Sequence, residues 1–174
     1  RSINANFRLG TPEAANRLTA LAGRADLPEA IRNEALLALG SWAKPAQRDR
    51  VVGVYRPLKE RDPAPAQQAL ASAALILLTN SPAEVQIATA EAVASLRLKD
   101  SVPRLETLVR DTNAPAKARA AALRAVARID STSPGLLALV EQSAKDSAET
   151  VRLEASRIGA ELNPSDAVAQ LAAK

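Results

Sequence analysis

Nucleophilic catalysis by a Ser–His–Asp or Cys–His set needs an imidazole, and a zinc cage needs thiolates or imidazoles. This sequence contains no histidine, no cysteine and no methionine. It has no C-x-x-C-H run to attach a c-type haem, and its six glycines are scattered, with no phosphate-cradling loop. What remains for chemistry is carboxylates, lysines, arginines, hydroxyls and Tyr55. Two patterns of such residues stand out. In the first, an acid or amide recurs six residues ahead of an arginine or amide: Asp26 and Arg32, Asn80 and Gln86, Asn113 and Arg119, Asp146 and Arg152. These types form ion pairs and hydrogen bonds but make no catalytic set. The second is a basic stretch at 44–64, punctuated by Pro45, Gly53, Pro57 and Pro63. No active site, cofactor site or metal site is assigned.

The elements that position these residues are legible from the apolar spacing. In 113–129, Ala118, Ala122, Ala125, Val126 and Ile129 form one helical stripe behind a turn signal at Asn113 and Pro115. The same register recurs from Ile31, Val85 and Val151. Successive anchors are 54, 33 and 33 residues apart, so a period of 33 is interrupted once, by 21 extra residues. A fixed period of this size marks a stacked array. Each copy is preceded by another helical pattern, which predicts pairs at 12–23 and 28–43, 65–79 and 82–98, 102–111 and 116–129, and 134–144 and 148–162. Thr11 is read as the N-cap of the first helix, with Pro12 at its first position, and Asp26 as the cap of the second. The run 69–78 is apolar almost all round and should be buried on most sides. A last helix at 164–173, with Ala167, Val168 and Leu171 on its apolar side, reads as half of a fifth repeat. No alternating β-branched run predicts a sheet.

The D/N-x4-[VIA]-[RQ]-x2-[AT] register, repeated with a helix before each copy, resembles the HEAT family over nearly the whole chain. The resemblance implies an all-α fold: an α-solenoid of about four helical hairpins plus the terminal half-repeat, in one domain over 1–174. It also implies that the acids and arginines form a polar ladder between neighbouring repeats: Asp26, Asn80, Asn113 and Asp146 with Arg32, Gln86, Arg119 and Arg152.

The 44–64 insertion carries six basic residues against three acidic ones, most of the chain's formal charge of +4. A short helix at 46–55 would turn Val51, Val52, Val54 and Tyr55 toward the array. Long connections in compact arrays are usually functional or disordered. Two readings stay open: a solvated loop covering the edge of the first repeat, or a docking loop. For the second, the candidate partner-binding residues are Trp42, Arg48, Arg50, Tyr55, Arg56, Lys59 and Arg61, with arginines favouring fixed pairs with carboxylates. The positions facing the inner side of the array include Asn33, Leu37, Glu91, Arg124, Leu153 and Arg157, a surface that could take a protein segment. A pI near 9.8 invites a nucleic-acid reading. Outside the insertion, however, the charges nearly balance, and aromatic platforms for single strands are missing, which argues against it. No run of eighteen apolar residues is present to insert into a membrane.

A narrower resemblance rests on W-A-K-P, R-D-R-V and Y-R-P-L, the words between Trp42 and Leu58. With the opening residues, they look like the HEAT segment of large bacterial multidomain proteins, membrane-bound dehydrogenases of the haem-binding CxxCH type. That resemblance implies a β-propeller dehydrogenase upstream, a c-type cytochrome downstream, and export to the periplasm or cell surface. The chain would be an interdomain spacer and docking platform excised from that parent, as the start at Arg1 and the half-repeat also suggest. The alternative expectation is a free-standing adaptor that binds a peptide or protein on its concave face.

Overall fold

The computed structural model describes residues 1–163. Its helices are α1 Ser2–Leu9, α2 Pro12–Gly23, α3 Glu29–Gly40, α4 Ala64–Thr79, α5 Ala83–Ser95, α6 Val102–Arg110, α7 Ala116–Ile129, α8 Pro134–Ser143 and α9 Glu149–Leu162. A 3-10 turn at Lys99–Ser101 leads into α6. There is no strand among the described residues; the nearest feature is one isolated antiparallel bridge between Arg48 and Tyr55.

Local chemistry explains where the helices begin. The Thr11 hydroxyl accepts from the Ala14 N–H at 3.3 Å, and Pro12 occupies the first turn, where its missing N–H costs nothing. The second helix of each of the first three pairs starts differently. Pro28, Pro82 and Pro115 sit in extended conformation at the N-caps of α3, α5 and α7, and their carbonyls accept the first helical bonds. Contrary to the expectation from the sequence, Asp26 does not cap α3. Its carboxylate is taken by Arg24 two residues away, and Pro28 holds the cap position.

The helices form an all-α solenoid. Second helices α3, α5, α7 and α9 pack one on the next in sequence order, and first helices α2, α4 and α6 line the other side. Leu18, Leu36, Leu70, Leu105, Leu123 and Ile158 are completely buried between the layers. Much of the rest of the core is alanine, which lets the layers approach closely. Neighbouring second helices approach closely at Gly40, where an added Cβ would lie 3.2 Å from the Ala92 Cα.

Several expectations need correction. Helix α1 precedes the predicted pairs, where no helix was expected, and packs on α2 and α3 with Phe7 buried. Ile31 is 40% exposed, so the α3 stripe is carried by Ala35, Leu36, Ala38 and Leu39. Leu75 and Ile76 lie on the outer face of α4 in solvent, because α4 is covered by α2, α5 and α6 on its other sides only. The predicted helix at 164–173, with Ala167, Val168 and Leu171, lies outside the described residues. No helix among the described residues is long and apolar enough to cross a membrane.

Candidate functional site

The insertion between α3 and α4 is not helical. Asp49 N–H donates to the Val54 carbonyl at 2.9 Å, and Arg56 N–H donates to the Gln47 carbonyl at 3.1 Å. These two bonds flank the Arg48–Tyr55 bridge and make a short hairpin that turns at Gly53. The Asp49 carboxylate takes the Val51 and Val52 N–H groups and Gly53 sits at φ +71°, so this segment closes as a turn and the helix expected at 46–55 does not form.

Asp49 is the pivot. It is buried, and its carboxylate accepts from the N–H groups of Val51 and Val52 at 2.9 and 3.2 Å. It also accepts from the Asn4 side chain at 3.1 Å and from Arg8 at 3.4 Å. The backbone bond from Val51 and the Asn4 amide hold its carboxyl below the usual carboxylate range. Arg8 additionally donates to the Arg56 carbonyl at 3.2 Å. Helix α1 therefore grips the base of the hairpin.

A second clamp joins the hairpin to α3. Arg50 forks onto Glu34, with both hydrogen bonds at 3.1 Å. The third is aromatic. The Arg61 guanidinium lies 4.0 Å from the Trp42 ring centroid and 4.7 Å from that of Phe7, and the two rings meet edge to face at 6.3 Å. Arg61 also donates to the Trp42 carbonyl at 2.8 Å. Burial pushes its pKa down, and cation–π attraction takes the place of an acidic partner.

These clamps sort the candidate partner-binding residues. Trp42 is completely buried and so does not present itself to a partner, which corrects the sequence expectation for it, while Arg61 is half-buried and lies over its ring. Arg50 is engaged by Glu34. Arg48, Tyr55, Arg56 and Lys59 are exposed. Val51, Val52, Val54 and Tyr55 point away from the array instead of toward it, at 49, 60, 49 and 65% exposure. Between α1 and the hairpin lies an open cleft of about 300 Å³, lined by Arg1, Asn4, Arg8, Val51, Val52 and Arg56 with Asp49 at its base.

The recurring acid and arginine pairs meet unevenly. Arg119 on α7 reaches Asp146 before α9 with bonds of 2.6 and 2.8 Å. Arg32 reaches past Asn80 to the Ser81 hydroxyl at 2.9 Å and back to the Ala22 carbonyl at 2.8 Å. Gln86 is buried, and its side-chain carbonyl has no hydrogen-bond partner among the described residues. Asn113 is exposed, and Arg152 turns back onto the Asp146 and Ser147 carbonyls.

Sequence reasoning missed the groups that do the holding: Asn4, Phe7, Arg8, Glu34 and Asp49. Only the place of Asp49, an acid within a basic stretch, was a signal in the sequence, and it needed a known partner to be read. On the inner face, Arg124 and Arg157 are both bound by Glu154. Arg124 forks onto Glu154 at 3.1 and 2.6 Å, and Arg157 pairs with the same carboxylate. No cluster of acids able to hold a metal ion is found among the described residues.

A family model for HEAT repeats matches residues 71–160, 90 of the 174 residues. The match runs from within α4 into α9 and leaves α1 and the hairpin outside it. No curated protein and no solved structure matches the chain.

Proposed function

The chain belongs to the HEAT-repeat family, whose repeats are generally protein-interaction scaffolds, and on that premise we propose that it is a non-catalytic docking platform whose contact site is the inserted hairpin. One observation carries this reading. The hairpin is clamped by Asp49, Arg50 and Arg61, yet four apolar side chains at its tip face solvent. A loop held in one conformation loses little entropy on binding, and exposed apolar groups gain by being covered.

The partner, in this reading, is a neighbouring domain of the same longer protein. The W-A-K-P, R-D-R-V and Y-R-P-L words support a bacterial redox parent, with a dehydrogenase domain before the repeats and a c-type cytochrome after them. Export to the periplasm or cell surface belongs to the same proposal. In it, the repeats act as spacer and the hairpin as the contact with a flanking domain. Recovering the complete gene tests the parent: a propeller upstream and a C-x-x-C-H downstream support it, and a self-contained reading frame rejects it.

The docking role is tested by placing a photo-crosslinking amino acid at Val54 in the cell of origin. A discrete crosslink, mapped by peptide analysis to a flanking domain of the same chain or to a second protein, that disappears on Val52→Asp supports the hairpin as contact site. Absence of an adduct, or one indifferent to Val52→Asp, rejects it.

The concave face is the second reading. Leu37 and Leu153 are 51 and 62% exposed on inner positions of α3 and α9. A cavity of about 140 Å³ lies between α3 and α5, lined by Leu37, Gly40, Ala88, Glu91, Ser95 and Arg128. Those features support a free-standing adaptor that binds a peptide or protein there.

A further inference from the structure

We infer that the cleft between α1 and the hairpin receives an acidic polypeptide segment of the docking domain: a carboxylate enters between Arg8 and Arg56 while an adjacent apolar side chain rests on Val51 and Val52. The inference rests on the hairpin being a docking site and names what docks there.

Charge is the first argument. Three arginines, Arg1, Arg8 and Arg56, line the cleft with a single carboxylate, Asp49. That carboxylate is already satisfied at closer range by Asn4, Val51 N–H and Val52 N–H, so Arg8 is its most distant partner, at 3.4 Å. Among the described residues, Arg1 and Arg56 have no acidic side chain within 4.0 Å. Arg48, exposed on the same hairpin, donates only to the Gly53 carbonyl, an uncharged acceptor. An anionic ligand is therefore the complement of this surface.

Shape and polarity are the second. A space of about 300 Å³ admits a few side chains, and its rim is two half-exposed valines. Guanidinium forks match carboxylates in plane, and the valines reward an apolar neighbour of that carboxylate. A nucleic-acid strand would use the arginines and Tyr55 but would gain nothing from Val51 and Val52. Arg8 is oriented for the task by its bond to the Arg56 carbonyl, which does not involve the Arg56 side chain. Arg56 can therefore be changed without loosening the clamp.

The experiment is fluorescence anisotropy on the full chain at physiological salt. The probe is a labelled peptide of alternating glutamate and leucine. The same peptide with glutamine in place of glutamate, and an oligothymidylate of equal length, are the comparisons. Binding of the glutamate peptide is expected to fall at least about tenfold with Arg56→Glu, and similarly when glutamine replaces glutamate. Val51→Ser with Val52→Ser should weaken it several-fold, and circular dichroism should show both variants folded. Unchanged binding by Arg56→Glu, or tighter binding of the oligothymidylate than of the peptide, overturns the inference. Equal binding of the glutamate and glutamine peptides overturns the acidic partner but leaves hairpin docking standing; failure of the Val54 crosslink removes the docking reading itself.

Discussion

Arg119 and Asp146 face each other across the third and fourth helical pairs, joined by two parallel hydrogen bonds of 2.6 and 2.8 Å with the arginine side chain only 3% exposed. Asp146 uses the same carboxylate to accept from the Ala148 N–H at 2.8 Å, so it fixes the start of α9 as well. One ion pair therefore sets both the entry of a helix and the stacking of two repeats.

Removing the arginine strands a poorly solvated carboxylate. Arg119→Ala is expected to lower stability by about 1–3 kcal/mol, since the partly exposed Asp146 carboxylate keeps the Ala148 N–H but loses both arginine hydrogen bonds. Urea unfolding followed by circular dichroism measures it, and a double-mutant cycle with Asp146→Ala isolates the coupling. A midpoint equal to that of the unaltered chain would reject the pair as a stabilising contact.

Acid should loosen the second half of the array. The bond from Arg119, ahead of burial in the other direction, holds Asp146 below its ordinary 3.8. For Glu154, burial pushes upward, but the bonds from Arg124 and Arg157 prevail and hold it below 4.5. Both groups have lower pKa values folded than unfolded, so in the window between, the unfolded chain binds more protons. The stabilisation is complete above the unfolded values and is lost as pH falls through the folded ones. The urea midpoint should be flat above about pH 5 and fall below it. Asp146→Asn should flatten the fall; an equally steep acid loss in that variant would contradict this assignment.

Two arginines of the insertion should behave oppositely. Arg61→Ala removes the guanidinium from the Trp42 and Phe7 rings and the bond to the Trp42 carbonyl, and should cost about 1–3 kcal/mol. Arg56→Ala removes an exposed side chain whose carbonyl remains, and should stay within about 0.5 kcal/mol. Fluorescence of Trp42, the sole tryptophan, reports both unfolding curves.

Gly10→Ala tests the same corner from the other side. Gly10 ends α1 at φ +70°, and an added Cβ would lie 2.4 Å from Arg61 Nη1. The backbone cost alone is about 1–2 kcal/mol, and displacement of Arg61 should shift Trp42 emission. Full retention of both stability and emission would show that the corner yields without cost.

A stabilising change is available at Arg97. It follows α5 at φ 53°, a left-handed cap conformation that suits glycine, and its side chain is exposed. Arg97→Gly should raise stability by about 0.5–1 kcal/mol, the relief of strain exceeding the extra freedom of the unfolded chain. A lower urea midpoint would mean that the arginine makes a contribution through its side chain.

Helix identity and repeat order were readable in the linear chain because both rest on near neighbours. Apolar stripes at three- and four-residue steps, Thr11 before Pro12, and the 33-residue recurrence place α2 and α7 at their observed bounds. The role of the insertion was not readable in this way. Asp49 meets Asn4 from 45 residues away, Arg61 meets Trp42 from 19, and Glu154 meets Arg124 from 30. Local periodicity reports which face of a helix is apolar, and it is silent on which distant polar group arrives to satisfy another. Trp42 looked like a surface anchor and became core, while Val51, Val52, Val54 and Tyr55 looked like core and became surface. In the folded chain Phe7 of α1 and Arg61 cover the tryptophan, and the hairpin's apolar side chains are left facing solvent.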